Sequence, residues 1–158
     1  IVASAMTITE ERAAAALFSD PYYDADQSLL VAAGSGIMSL DDLDGQRLAV
    51  QTGTTGEIYA QDNAPAGVEL VSFDEPASMF LALEGGDVQG ILQDLPVNAD
   101  RAQQNSDVEL ADSYPTGEQY GFATSTENGD LMDEINSALA TIKDDGTYDG
   151  IFDSYFGA

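Results

Sequence analysis

Arg47-Leu-Ala-Val-Gln-Thr-Gly-Thr-Thr-Gly56 is the stretch that decides the fold. Residues 47–51 alternate with strand character, the Thr/Gly run is a turn, and a helix opens at Gly56. Downstream the pattern repeats. Helices are read at Gly56–Asn63, Pro76–Glu84 and Leu95–Gln104, and strands at Glu69–Phe73, Val88–Gln93 and Glu109–Ala111. Gly85-Gly86 closes the second helix, as glycine does at a helix C-terminus. Strand–helix alternation of this kind predicts an α/β protein, with a parallel sheet and helices on its faces.

Upstream, Ser39–Gly45 reads as a capped single turn. Gln27–Ala33 reads as a strand built on Leu29-Leu-Val31 and ended by Gly34-Ser-Gly36. Asp20-Pro21 is a turn signal. Arg12–Leu17 is an alanine-rich helical turn, and Ile1–Ala5 a short buried strand. Downstream, Gln119–Ser125 is another strand. Leu131, Ile135, Ala138, Leu139 and Ile142 share one helical face, and Gly146 ends that helix. Tyr148, Ile151, Phe152, Tyr155 and Phe156 form a second apolar stripe, expected in the core. There is no internal repeat or low-complexity segment.

The chain has 158 residues and 44% hydrophobic content, enough for a real core. Four cations stand against 29 carboxylates, a net charge of −25. The cations are Lys143, Arg12, Arg47 and Arg101. Nucleic-acid backbones and anionic membrane surfaces would be repelled. The acids are scattered and lack the spacing of a calcium loop. A generically acidic surface is one reading. Near-absence of lysine favours a protein from a high-salt environment, where like charges are screened within about 3 Å at molar salt. Cysteine and histidine are absent, so there is no disulfide, no thiol nucleophile and no imidazole base or ligand. No cofactor is implied. No run reaches the ~20 apolar residues of a membrane span.

Several residues carry candidate chemistry. Thr52–Gly56 follows a strand and opens a helix, the arrangement that gathers N–H groups and a positive dipole end for an anion; a plain tight turn is the alternative. No Gly-Lys-Ser/Thr follows, which excludes a P-loop. Asp94 sits just past an apolar strand, where open α/β sheets place ligands. Its alternative role is N-cap of the helix that Pro96 helps start. Taken by itself, Arg12 reads as a helix-surface partner of Glu10 or Glu11. Thr7-Ile-Thr-Glu10 fits a capping box.

Five stretches together resemble one family: Ala5-Met-Thr-Ile-Thr-Glu-Glu-Arg12, Phe18-Ser-Asp-Pro-Tyr-Tyr23, Ala49–Gly56, Ile91-Leu-Gln-Asp-Leu-Pro96 and Ile142–Phe152. They are similar to the amino-acid-binding proteins of ABC importers, over nearly the whole chain. The resemblance implies a type II periplasmic-binding fold, two α/β lobes joined by two crossover strands near Leu29–Ala33 and Gln119–Ala123. Residues 33–118 would form a complete lobe. Residues 1–32 and 119–158 would supply part of the other, whose first half would precede Ile1. Without that half, the partial lobe should show open sheet edges and bare apolar helix faces.

The resemblance also assigns roles. Arg12 would grip a ligand α-carboxylate as a two-pronged fork, which a guanidinium does better than an ammonium. Thr7 and the main chain at Ala5 would bind the same amino-acid head, and Thr54 and Thr55 would add the second lobe's donors. Asp94 would pair with the α-ammonium. Gln51 and Gln93 flank these loops and are candidates for the ligand's side chain. Tyr22 and Tyr23 are expected to pack beside the turn, and Glu57, at the start of the following helix, to matter little for binding. The implied function is capture of a free, polar amino acid between two lobes and delivery to an ABC permease. The implied location is extracytoplasmic, periplasmic or at the cell surface, with a lipid anchor ahead of Ile1 as one option. Two alternatives share the fold: a cyclohexadienyl dehydratase-like enzyme, using paired carboxylates as acid and base, and the ligand-binding domain of a membrane sensor.

Overall fold

Leu29, Leu30 and Val31 are all fully buried, although neighbouring residues of a strand face opposite ways. Both faces of their strand must therefore be covered. Leu29 and Val31 join Leu48, Val50 and Leu92 under Leu40, Leu43 and Ala60. Leu30 joins Ala49 and Ile91 on the other side, under Met79, Ala82 and Leu83. A doubly covered strand reads as a continuous apolar run, and this one does.

The computed structural model describes residues 1–156. The elements are β1 (Val2–Thr7), α1 (Glu10–Ala13), β2 (Leu17–Phe18), β3 (Tyr23–Ala32), a 3₁₀ turn (Leu40–Leu43) and β4 (Arg47–Gln51), then α2 (Thr55–Asn63), β5 (Glu69–Phe73), α3 (Pro76–Glu84) and β6 (Gly90–Asp94). The rest are α4 (Leu95–Gln104), β7 (Val108–Thr124), α5 (Gly129–Asp144) and α6 (Thr147–Phe156). Two compact units emerge: Asp26–Thr116, and Ile1–Ala25 with the described residues from Gly117 onward. β3 and β7 run from one unit into the other.

In the 26–116 unit, β4 pairs in parallel with both β5 and β6, and β3 pairs antiparallel with β6. The sheet is thus mixed rather than wholly parallel. β4, β5 and β6 are joined by crossover helices that enforce one direction; β3 enters from outside that run. The 3₁₀ turn carries the expected cap, with Ser39 and Asp42 bonded reciprocally. α3 ends at Gly85, and Gly86 takes φ +77°, a left-handed value that glycine adopts without a Cβ clash.

The other unit departs further from expectation. β1 is exposed over Val2–Ala5, because β7 is its only pairing partner among the described residues. Its neighbour β7 is one 17-residue strand, where the sequence reads two short ones. Pro115 and Gly117 mimic a break; Gly117 sits at φ +70° and the strand continues through it. The helical turn lies at Glu10–Ala13, earlier than Arg12–Leu17, because Thr9 caps it. α5 forms where the sequence reads a helix, but of the face Leu131, Ile135, Ala138, Leu139 and Ile142 only Leu139 is buried, together with Met132 beside it, and Ala138 is exposed. α6 buries none of its residues, and Tyr155 is 78% exposed. Its aromatics pack on one another and on Tyr23 instead of entering a core. Tyr22 stacks on Phe122 and Tyr23 on Tyr120. No helix among the described residues is long and apolar enough to cross a membrane.

Candidate functional site

In the 26–116 unit, the loop after β4 is held from within. Thr54 caps α2: its Oγ1 accepts from the Glu57 N–H at 3.2 Å and donates to the Gln51 carbonyl at 2.8 Å. Gln51 donates its side-chain N–H to the Asp74 carbonyl at 3.1 Å, tying the loop to the one after β5. Gly53 takes φ +73° and gives its N–H to Glu57 Oε2 at 2.8 Å. Ser72 donates to Glu57 Oε1 at 2.7 Å. Glu57 is therefore half-buried and braces this loop, contrary to the surface role read for it.

The Ser72 hydroxyl, then the Gly53 N–H, hold the Glu57 carboxyl below the usual glutamate range. A depressed pKa in the fold adds stability above the ordinary value of about 4.3, and that stability disappears as pH falls through the depressed one. Glu57→Gln should therefore melt lower at neutral pH, with the gap to the unaltered protein closing in acid. Melting curves across that range check it; parallel curves at every pH would refute it. The acid limb will not vanish, since Asp42 and Asp145 are held low as well, by the N–H of Met38 and the Thr147 hydroxyl respectively.

Asp94 occupies the N-cap position of α4, yet its side chain makes no capping bond. Instead Gln27 Nε2 donates to Asp94 Oδ1 at 2.6 Å and lies 3.5 Å from Thr55 Oγ1. Asp94 and Thr55, named from different motifs, are thus brought together by a third residue that the sequence did not single out. Gln93 precedes Asp94 on β6 and so faces the other side of the sheet. It is 8% exposed, and its side-chain oxygen has no hydrogen-bond partner among the described residues.

In the other unit, Arg12 Nη1 donates to the Thr7 carbonyl at 3.0 Å, and the Arg12 N–H bonds the Thr9 hydroxyl at 3.1 Å. Thr9 therefore does the capping assigned to Thr7. That leaves the buried Thr7 hydroxyl to donate to Glu118 Oε2 at 3.0 Å. Ala5 takes φ +53°, a left-handed value costly for a residue with a Cβ, at an irregularity in the β1–β7 register. Strain of this kind persists where surroundings impose it and gathers at functional positions. The Ala5 backbone also bonds Tyr22, whose pKa is raised by burial. Each unit thus presents one set of groups, donors around Arg12 in one and a carboxylate beside a helix-opening loop in the other.

Residues 1–158 match the family of bacterial extracellular solute-binding proteins, family 3. The chain is 34% identical to the ABC transporter arginine-binding protein 1 of Escherichia coli (strain K12), covering 98% of this chain and 65% of that protein. It is 35% identical to the ABC transporter glutamine-binding protein GlnH of Bacillus subtilis (strain 168), covering 96% of this chain and 55% of the relative. The chain therefore spans less than two thirds of these relatives. A solved structure, an ancestral arginine-binding protein bound to glutamine, superposes with a TM-score of 0.90 at 38% identity, covering 98% of this chain and 69% of that one. The named relatives are binding proteins, and the fold is the type II periplasmic-binding α/β fold. The chain belongs to the bacterial extracellular solute-binding proteins of family 3.

Proposed function

We propose that the protein binds a free, polar amino acid outside the cytoplasm and delivers it to an ABC-importer permease, acting as a receptor rather than an enzyme. The observation that carries this reading is Asp94: it stands where a helix cap would, makes no capping bond, and is held by a buried amide beside Thr55. A carboxylate fixed in that way suits an ammonium. Arg12 suits a carboxylate, and an amino acid carries both charges. Thr7, Thr55 and the main chain at Ala5 and Thr54 complete the set, with Gln51 the candidate for the ligand's side chain. Gln93, on the far face of β6, has no part in it. The relatives add support, since two bear the names of arginine- and glutamine-binding transport proteins.

Calorimetric titration of the complete protein with the twenty amino acids tests this. Saturable one-to-one binding of at least one polar amino acid is expected, with arginine and glutamine the first to try. No saturable heat with any of them would overturn the reading.

A further inference from the structure

β3 and β6 pair antiparallel with Gln27 directly opposite Asp94. Opposed residues place their side chains on the same face, within bonding reach. Gln27 is fully buried, and its Nε2 stands 2.6 Å from Asp94 Oδ1 and 3.5 Å from Thr55 Oγ1. These partners belong to different loops: Thr55 opens α2, and Asp94 precedes α4. The start of α2 lies close against the same amide. A Cβ built on Gly56 would come within 2.8 Å of Gln27 Oε1. Real Cβ atoms do not approach an oxygen so closely, so glycine at 56 lets the helix end seat there. One buried side chain therefore sets the separation between the group offered to an ammonium and the loop offered to a carboxylate.

We propose that Gln27 is a positioning and specificity residue: it fixes that separation, and so selects amino acids whose ammonium and carboxylate share one carbon. Ligands whose amino group lies one carbon further away, the β-amino acids, would be too long for the fixed spacing. The inference rests on the reading of Asp94 and Thr55 as ligand groups. It assigns Gln27 no contact with the ligand; its effect passes through its two partners.

The test uses the complete protein and titrates arginine and glutamine, each beside its β-amino homologue. Gln27→Met, of similar length but without an amide, should weaken α-amino-acid binding by about tenfold, the scale of one bond to a charged group. It should also narrow the preference for the α over the β form. In an Asp94→Asn background the same change should cost less than about twofold, because groups acting as a unit are not additive. A merely structural role would cost the same in both backgrounds and leave the preference unmoved. If Gln27→Met does not fold, Gly56→Ala decides, since it pushes on the same amide from α2; the same narrowing is expected, smaller in size. Unchanged preference in whichever variant folds, with Asp94→Asn still impaired, would overturn the role of Gln27 and leave the site standing. An unimpaired Asp94→Asn would overturn both.

Discussion

Asp94→Asn and Arg12→Met should each weaken amino-acid binding by about tenfold to several hundredfold. Each removes a charge from a charge-assisted contact, and such contacts contribute roughly 1.5–3 kcal/mol. The loss grows when the partner charge is left without its counterpart, and each ~1.4 kcal/mol is a factor of ten in affinity. The fold should survive both. In Asp94→Asn the new amide would still offer an oxygen to Gln27 Nε2, the donor now bonded to Asp94. Arg12 bonds the Thr7 carbonyl from an α1 only four residues long, so little packing depends on its head group. Asp62→Asn, a charge change at an exposed position of α2, is the control and should leave affinity alone. Calorimetry on the complete protein reads all three. Unchanged affinity in both Asp94→Asn and Arg12→Met would sink the two-charge recognition.

Local chemistry made much of the 26–116 unit legible. α3 and α4 form at Pro76–Glu84 and Leu95–Gln104, the limits that Pro at a first turn and Gly or a polar residue at the end indicate. The apolar run Leu29-Leu-Val31 marks a strand, and β3 runs through it; that both its faces are covered is seen in the structure. The errors lie where pairing partners, not local pattern, decide. Pro115 and Gly117 carry turn signals, yet β7 passes through them as one strand. The stripe on α6 has helical spacing, but spacing does not say what lies opposite, and the stripe packs on itself and on Tyr23. At the site, Arg12, Thr55 and Asp94 stand out as residue types in motifs. Gln27 does not: its meaning depends on standing opposite Asp94, a register between residues far apart in the chain. Glu118, which takes the Thr7 hydroxyl, was hidden for the same reason. Glu57 stands at the acidic position of Thr54-Thr-Gly-Glu57, and the capping-box rule gives the bond from its N–H to Thr54 Oγ1; its carboxylate instead bonds the Gly53 N–H and the Ser72 hydroxyl, partners that local sequence does not name.

The melting temperature should rise steeply with salt at low ionic strength, by on the order of 10 °C between about 10 mM and 1 M potassium chloride. With 29 carboxylates and four cations, net −25, most acids have no cation to meet. Arg47 pairs with Glu69 at 4.0 Å and Arg101 with Glu84. Exposed pairs of that kind contribute only about 0.2–1 kcal/mol each. The remaining like charges repel over a distance set by screening, about 30 Å at 10 mM and about 3 Å at 1 M. Most of the relief should therefore come early, and the curve should flatten towards molar salt. That shape separates screening from preferential exclusion of salt, which strengthens apolar burial without levelling off. A local arm makes the cause specific. Asp149 and Asp153 stand four apart on exposed α6, a spacing at which like charges destabilise a helix by roughly 0.2–0.5 kcal/mol. Asp153→Asn should raise the melting temperature at 10 mM salt and do nothing measurable at 1 M. A flat salt profile, or an Asp153→Asn gain that persists at molar salt, would remove self-repulsion as the force this acidic surface places on the fold.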